Sequence, residues 1–251
     1  MALGLLVGML VGMTGVGAGS LVTPALAMSG VPLAIAVGTD LVYAAATKSF
    51  GALAHRAQRT LDLRVAGLLV AGSVPAAVLT IGVLAATGGH MRSSLITGFL
   101  AVALILTALA LLTGRARVAA FASRYEASIA PIRASLTIAS GAVLGVLVTI
   151  TSVGAGALGA VLLVALYPAM PAARVAGVDI AYAVPLTLVA GLGHLWLGNV
   201  NFTLVLNLLV GSVPGIIAGS LLAGRVSDAL VRRLLALVLL GTGARLAFAG
   251  L

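Results

Sequence analysis

The sequence predicts an all-α polytopic membrane protein built from two homologous halves that are inverted repeats. Each half is expected to hold a broken or re-entrant helical hairpin plus three transmembrane helices. The first observation is composition. Of 251 residues, 62% are hydrophobic and 8% are charged, with a mean hydropathy of +1.27, whereas a soluble domain carries about 25% charged residues. The second is an internal echo. Thr14-Gly15-Val16-Gly17-Ala18-Gly19-Ser20-Leu21 returns as Thr151-Ser152-Val153-Gly154-Ala155-Gly156-Ala157-Leu158. Gly38-Thr39-Asp40 returns as Gly177-Val178-Asp179, and Gly72-Ser73-Val74-Pro75 as Gly211-Ser212-Val213-Pro214. The third is the placement of the arginines.

Six apolar stretches are long enough to cross a hydrocarbon core of about 30 Å: 34–54, 65–86, 93–113, 174–197, 203–223 and 229–249. The polar stretch 114–133 carries Arg115, Arg117, Arg124, Glu126 and Arg133 and joins a repeat at 1–113 to a repeat at 134–251. Two further segments, 2–29 and 135–168, are apolar at both ends and interrupted by the glycine motif. Each is either one broken crossing or a hairpin that enters and leaves on one side. Irregular backbone at membrane depth is tolerated only inside protein or beside a wet cavity, so both options bury the motif.

The arginines separate the options. If both segments cross, the 13 arginines divide 8 to 5 between the two faces. If both fold back, Arg92 and Arg245 lie on one face and the other 11 lie opposite. Cytoplasmic loops are rich in Lys and Arg, which favours the hairpins, places 114–133 in the cytoplasm and both termini outside. Three crossings per half then make the repeats inverted, an arrangement typical of secondary transporters, whose sites lie at interrupted segments in matching positions.

Several classes are excluded. Cysteine is absent, which removes disulfides, thiolate metal sites and cysteine nucleophiles. The net charge of +9 resides in loops and sets orientation. No basic and aromatic platform for nucleic acid accompanies it. No enzyme motif, metal site or cofactor site is present, so neither catalysis nor a cofactor is expected. The opening Met1-Ala2-Leu3-Gly4 lacks the positive start of a cleavable signal, so the first apolar segment is expected to be retained.

The candidate binding residues follow from the repeat. Successive glycines let backbone N–H groups converge on an anion, and a half-helix starting just after them adds its positive end. The proposed set is Thr14, Gly15, Gly17, Gly19 and Ser20 with Thr151, Ser152, Gly154 and Gly156. Close helix packing is the alternative use of such small residues. Lys48, the only lysine, falls within a span, where a charge is costly and marks function by default. It is suited to neutralise an anionic substrate; the alternative is that it snorkels to the interface. Its repeat partner is Thr187, so the charge is not duplicated. Asp40 and Asp179 are paired intramembrane carboxylates that either carry a coupling proton or sodium ion, or cap helices. His194 joins them as a coupling candidate, while His55, beside Arg56 and Arg59, reads as a loop residue. Trp196 near a span end reads as an interface anchor.

The run Gly15-Val16-Gly17-Ala18-Gly19-Ser20-Leu21-Val22-Thr23-Pro24, its second copy and Gly38-Thr39-Asp40 resemble the sulfite exporter TauE/SafE family, also called the toluene-sulfonate uptake permeases. The resemblance covers essentially the whole chain. It implies a permease of the bacterial inner membrane for sulfite, sulfonates, thiosulfate or related small anions. The second copy departs from the first, with Ser152 in place of Gly15 and no proline at the Pro24 equivalent.

The expected function is therefore secondary transport of a small, sulfur-containing oxyanion by alternating access. The partners are that anion, the lipid bilayer and a coupling proton or sodium ion; a homo-oligomer stays open. The rival functions are a permease for an amino acid or a metal cation, and a membrane scaffold or assembly factor with no transport cycle.

Overall fold

Within a bilayer each backbone polar group must be satisfied inside its own segment, so long apolar runs fold as helices. The computed structural model describes residues 1–14, 19–58, 60–87, 93–223 and 228–249, and it is all-helical. The first half comprises α1 (Ala2–Thr14), α2 (Gly19–Met28), α3 (Leu33–Ala57), α4 (Leu63–Ala86) and α5 (Ser93–Thr113). The joining stretch folds as α6 (Arg115–Ala122) and α7 (Glu126–Ile129), with 3-10 turns at Ser123–Tyr125 and Ala130–Ile132. The second half comprises α8 (Arg133–Thr151), α9 (Ala157–Leu166), α10 (Ala172–Trp196), α11 (Phe202–Ala223) and α12 (Asp228–Ala249). The six expected spans correspond to α3, α4, α5, α10, α11 and α12. Among the described residues, five helical segments are long and apolar enough to cross a membrane: 63–86, 95–113, 115–151, 172–196 and 202–219. The protein is a multi-pass membrane protein.

Small residues set the packing. α1 lies along α11, and α8 lies along α4. Gly4 and Gly8 rest on the backbone of Leu208 and Ser212, while Gly141 and Gly145 rest on that of Leu69 and Ser73. A Cβ at any of the four would collide with backbone. Residue numbers rise together in both pairs, so α1 runs parallel to α11, and α8 runs parallel to α4. α3 and α10 are antiparallel, since Gly38 meets Asn199 and Gly177 meets Thr60. α4 runs parallel to α10, with Thr60 near Gly177 at one end and Ile81 at Gly193 farther along. At the start of α3, Thr39 Oγ1 accepts from the Asn201 amide 3.0 Å away.

These directions dictate what α9 does. α8 and α10 both run parallel to α4, so α9 between them must turn back. It does: Tyr167, just past the end of α9, places its hydroxyl 3.0 Å from Thr137 Oγ1 near the start of α8. The Arg133 guanidinium lies over the same Tyr167 ring, 5.4 Å from its centre. α8 is 19 residues long and α9 is 10, or about 28 Å and 15 Å. The hairpin therefore starts and ends at the same end of the bundle, with its tip at residues 152–156.

The same directions gather charge. Arg56, Arg64, Arg115, Arg133, Arg174, Arg232 and Arg233 all sit at or near the helix ends on the side where α3 finishes and α4, α8, α10 and α12 begin. Trp196, 74% exposed, sits at the opposite end of α10, as an interface anchor would.

Candidate substrate site

The tip of the second hairpin is built by backbone conformation. Ser152 ends α8 with φ 59°, and Gly154 and Gly156 follow with φ 129° and 140°. Positive φ at alternate residues bends the chain sharply at the tip, and glycine adopts the two widest values without the cost of a side chain. Among the described residues, the amides of 154–158 donate to no backbone carbonyl. Those of Ala157 and Leu158 are the unsatisfied first-turn donors of α9. The Thr151 hydroxyl is spent on the turn itself, donating to Leu147 O and accepting from the Val153 amide. The Ser152 hydroxyl is buried and has no partner.

Three charged groups of the span helices surround this tip. Lys48 reaches from α3 and donates from Nζ to Ala155 O at 2.9 Å. Its head is thus held by the glycine turn rather than lifted to the interface. Asp179 lies in α10, 6% exposed, beside the Gly156 amide and the Lys48 charge. Its Oδ1 and the Tyr182 hydroxyl next to it are both buried without a hydrogen-bond partner. Gly159 allows this, since a Cβ there would strike both groups. Asp40 lies in α3, fully buried, near Ser152. Its Oδ2 accepts the Thr23 hydroxyl at 2.6 Å, which ties α2 to α3, while its Oδ1 has no partner. Lys48 closes no ion pair with either carboxylate; among the described residues the ion pair formed is Arg133–Glu126.

Capping does not explain the two aspartates. Each is the eighth residue of its helix, well past the turn where a cap acts. His194 is buried in α10, and its Nε2 is 2.9 Å from Thr149 O on α8, so it braces the hairpin one turn before the tip. His55 Nδ1 meets Thr60 Oγ1 at 2.7 Å at the end of α3, as a loop histidine would. Thr187, the counterpart of Lys48, bonds to Ala183 O in its own helix.

In the first half, Gly15 and Gly17 lie outside the described residues. Thr14 ends α1, Gly19 starts α2, and Ser20 is buried in the first turn of α2. The structure thus brings Lys48, Ser152, Gly154, Gly156, Asp40 and Asp179 together around one hairpin tip.

Sequence reasoning missed the way in. A cavity of about 880 Å³ runs from the arginine-rich end to the tip, with Gly156, Ala157 and Asp179 in its wall. Arg115, Arg117, Arg232 and Arg233 line it nearer the solvent. Arg115 is fixed there by a 2.9 Å bond to Met170 O. Nothing in the linear order of α5, α6, α9 and α12 announces that they meet.

Comparisons with known proteins give the family. A family described as "Sulfite exporter TauE/SafE" matches residues 1–246. A protein of Bacillus subtilis (strain 168), described as "Probable membrane transporter protein YjnA", is 37% identical over 252 residues, covering 97% of each chain. No solved structure matches the chain.

Proposed function

The chain belongs to the sulfite exporter TauE/SafE family of membrane transporters, and from that premise we propose that it carries a small sulfur oxyanion, of the sulfite, sulfonate or thiosulfate class, across the bacterial inner membrane. One observation carries the reading. A lysine ammonium is anchored on a carbonyl of the glycine turn, and Gly156 and Ala157 of that turn form part of the wall of an arginine-lined cavity. Positive charge and converging N–H donors suit a compact anion with several oxygens. A lysine at the centre is ill suited to a cation.

Alternating access follows from two inverted repeats. The opposite directions of α1 and α8, and of α3 and α10, support that relation, as does the fold-back of α9. On this reading both hairpins are re-entrant, 114–133 lies in the cytoplasm, and both termini lie outside. The excess of arginines at one end of the bundle supports the same orientation. The cavity then opens to the cytoplasm, so the state described faces inward.

The test is exchange in proteoliposomes. Vesicles preloaded with sulfite, thiosulfate or methanesulfonate should take up the labelled anion saturably. Excess chloride, amino acids or divalent cations should not compete. Uptake no faster than in protein-free vesicles for all three anions would reject the reading and favour a scaffold. Competition by an amino acid or a metal ion instead would redirect it to those substrates.

A further inference from the structure

We propose that Asp179 is the proton-coupling group and that each monovalent anion crosses with one proton; this rests on the anion-transport reading above. The argument begins with a charge count. Lys48 supplies one positive charge at the hairpin tip, while Asp40 and Asp179 supply two carboxylates, both buried. An arriving anion would add further negative charge to a site in which carboxylates already outnumber cations. Uncompensated charge at membrane depth is costly. The incoming charge must therefore be matched by a cation, and only the carboxylates can take one up.

The surroundings of Asp179 select the cation. The Gly156 amide directs its hydrogen towards it, and the Lys48 charge lies near. A metal ion requires a shell of oxygen ligands, and the neighbouring Lys48 charge repels it. A proton needs one lone pair, and Asp179 Oδ1 is without a partner.

Access selects the residue. Asp179 lines the cavity and Asp40 does not. Asp40 is wholly enclosed and engaged by Thr23. His194 is engaged by Thr149 on the far side of the tip. The other groups near Asp179 are Tyr182 on its own helix, Lys48 on α3, which Asp40 also neighbours, and the arginines of the cavity mouth. A proton entering with the anion through the cavity meets Asp179 first. The proton passes from water to Oδ1 and leaves on the other side with the anion. No covalent bond to the anion is made or broken, and no net charge crosses the membrane.

The experiment uses the full-length protein in vesicles containing a trapped pH dye, with labelled methanesulfonate as the monovalent probe. An outside medium about one pH unit more acid than the lumen should drive about tenfold accumulation, because one proton accompanies each anion. A membrane voltage imposed without a pH gradient should drive none. Asp179→Glu should keep the proton-to-anion ratio near one. Any flux through Asp179→Asn should carry a ratio near zero. Methanesulfonate exchange by the unaltered protein without proton movement would overturn the coupling and leave the transport reading standing. Absence of any anion exchange would overturn both. Should Asp179→Asn be inactive, a ratio near one in Asp179→Glu supports the assignment, and a ratio near zero there overturns it.

Discussion

Lys48 Nζ donates to the carbonyl oxygen of Ala155 at 2.9 Å, across 107 residues of sequence. A helix of the first half therefore holds the broken segment of the second. The lysine is joined to the same turn whose neighbouring amides are offered to a ligand. An anion that draws the ammonium away from that carbonyl also loosens the link between α3 and the hairpin. Binding and movement would then share one contact.

The first prediction concerns the turn. Gly154 adopts φ 129°, where a side chain costs about 1–3 kcal/mol of backbone strain. Gly154→Val should lower anion uptake by about fivefold or more, with normal insertion and elution in detergent, because the strain of ~1–3 kcal/mol falls on the turn. Uptake at the normal rate would remove the turn from the site.

A second prediction concerns the tie between α2 and α3. Thr23→Val leaves Asp40 Oδ2 buried without its donor, a loss of about 1–3 kcal/mol. The detergent-solubilised variant should melt at a lower temperature, and Thr23→Ser should restore it. An unchanged melting curve would show that the hydroxyl is dispensable.

Orientation can be read chemically, because the chain has no cysteine of its own. Single cysteines introduced at Ala120 and appended after Leu251 would be exposed to a membrane-impermeant maleimide on intact cells. The C-terminal cysteine should react and Ala120→Cys should not. The reverse pattern would invert the orientation.

The arginines of the cavity should act on rate. Arg117 and Arg233 line it near the solvent. Arg117→Glu with Arg233→Glu should slow uptake from the cytoplasmic side several-fold at low salt, and the difference should shrink at high salt, as electrostatic steering requires. A deficit that does not change with salt would point to a structural defect.

Much of this was legible in the sequence because hydropathy is a local signal. Helices occupy the six expected stretches within about three residues of their bounds, and four of them, α4, α5, α10 and α11, are among the described segments apolar enough to cross a membrane. The offset between Gly38-Thr39-Asp40 and Gly177-Val178-Asp179 places both aspartates at the same helical position. Arginine placement anticipated the fold-back now visible between Tyr167 and Thr137. The uses of glycine were harder to separate. Gly4, Gly8, Gly141 and Gly145 serve helix contact, while Gly154 and Gly156 serve the turn. The four-residue spacing of the first set was the available signal, as small residues one turn apart let helices approach closely. The cavity and the Lys48–Ala155 contact depend on which helices meet, and neither has a local signature. The alternative of aspartate capping fails because each aspartate is the eighth residue of its helix, past the turn where a cap acts.

The central claim is that Lys48 and the glycine turn together hold an anion. Calorimetric titration of the purified protein with methanesulfonate, thiosulfate and sulfite tests it most directly, comparing the unaltered chain with Lys48→Ala and Lys48→Arg. Removing a desolvated charge contact costs about 2–5 kcal/mol, at least about 30-fold in affinity. The account predicts that loss for Lys48→Ala, with part of the affinity kept by Lys48→Arg, whose charge remains while its shape differs. Affinity of Lys48→Ala within about twofold of the unaltered protein, a change of less than about 0.5 kcal/mol, would contradict it.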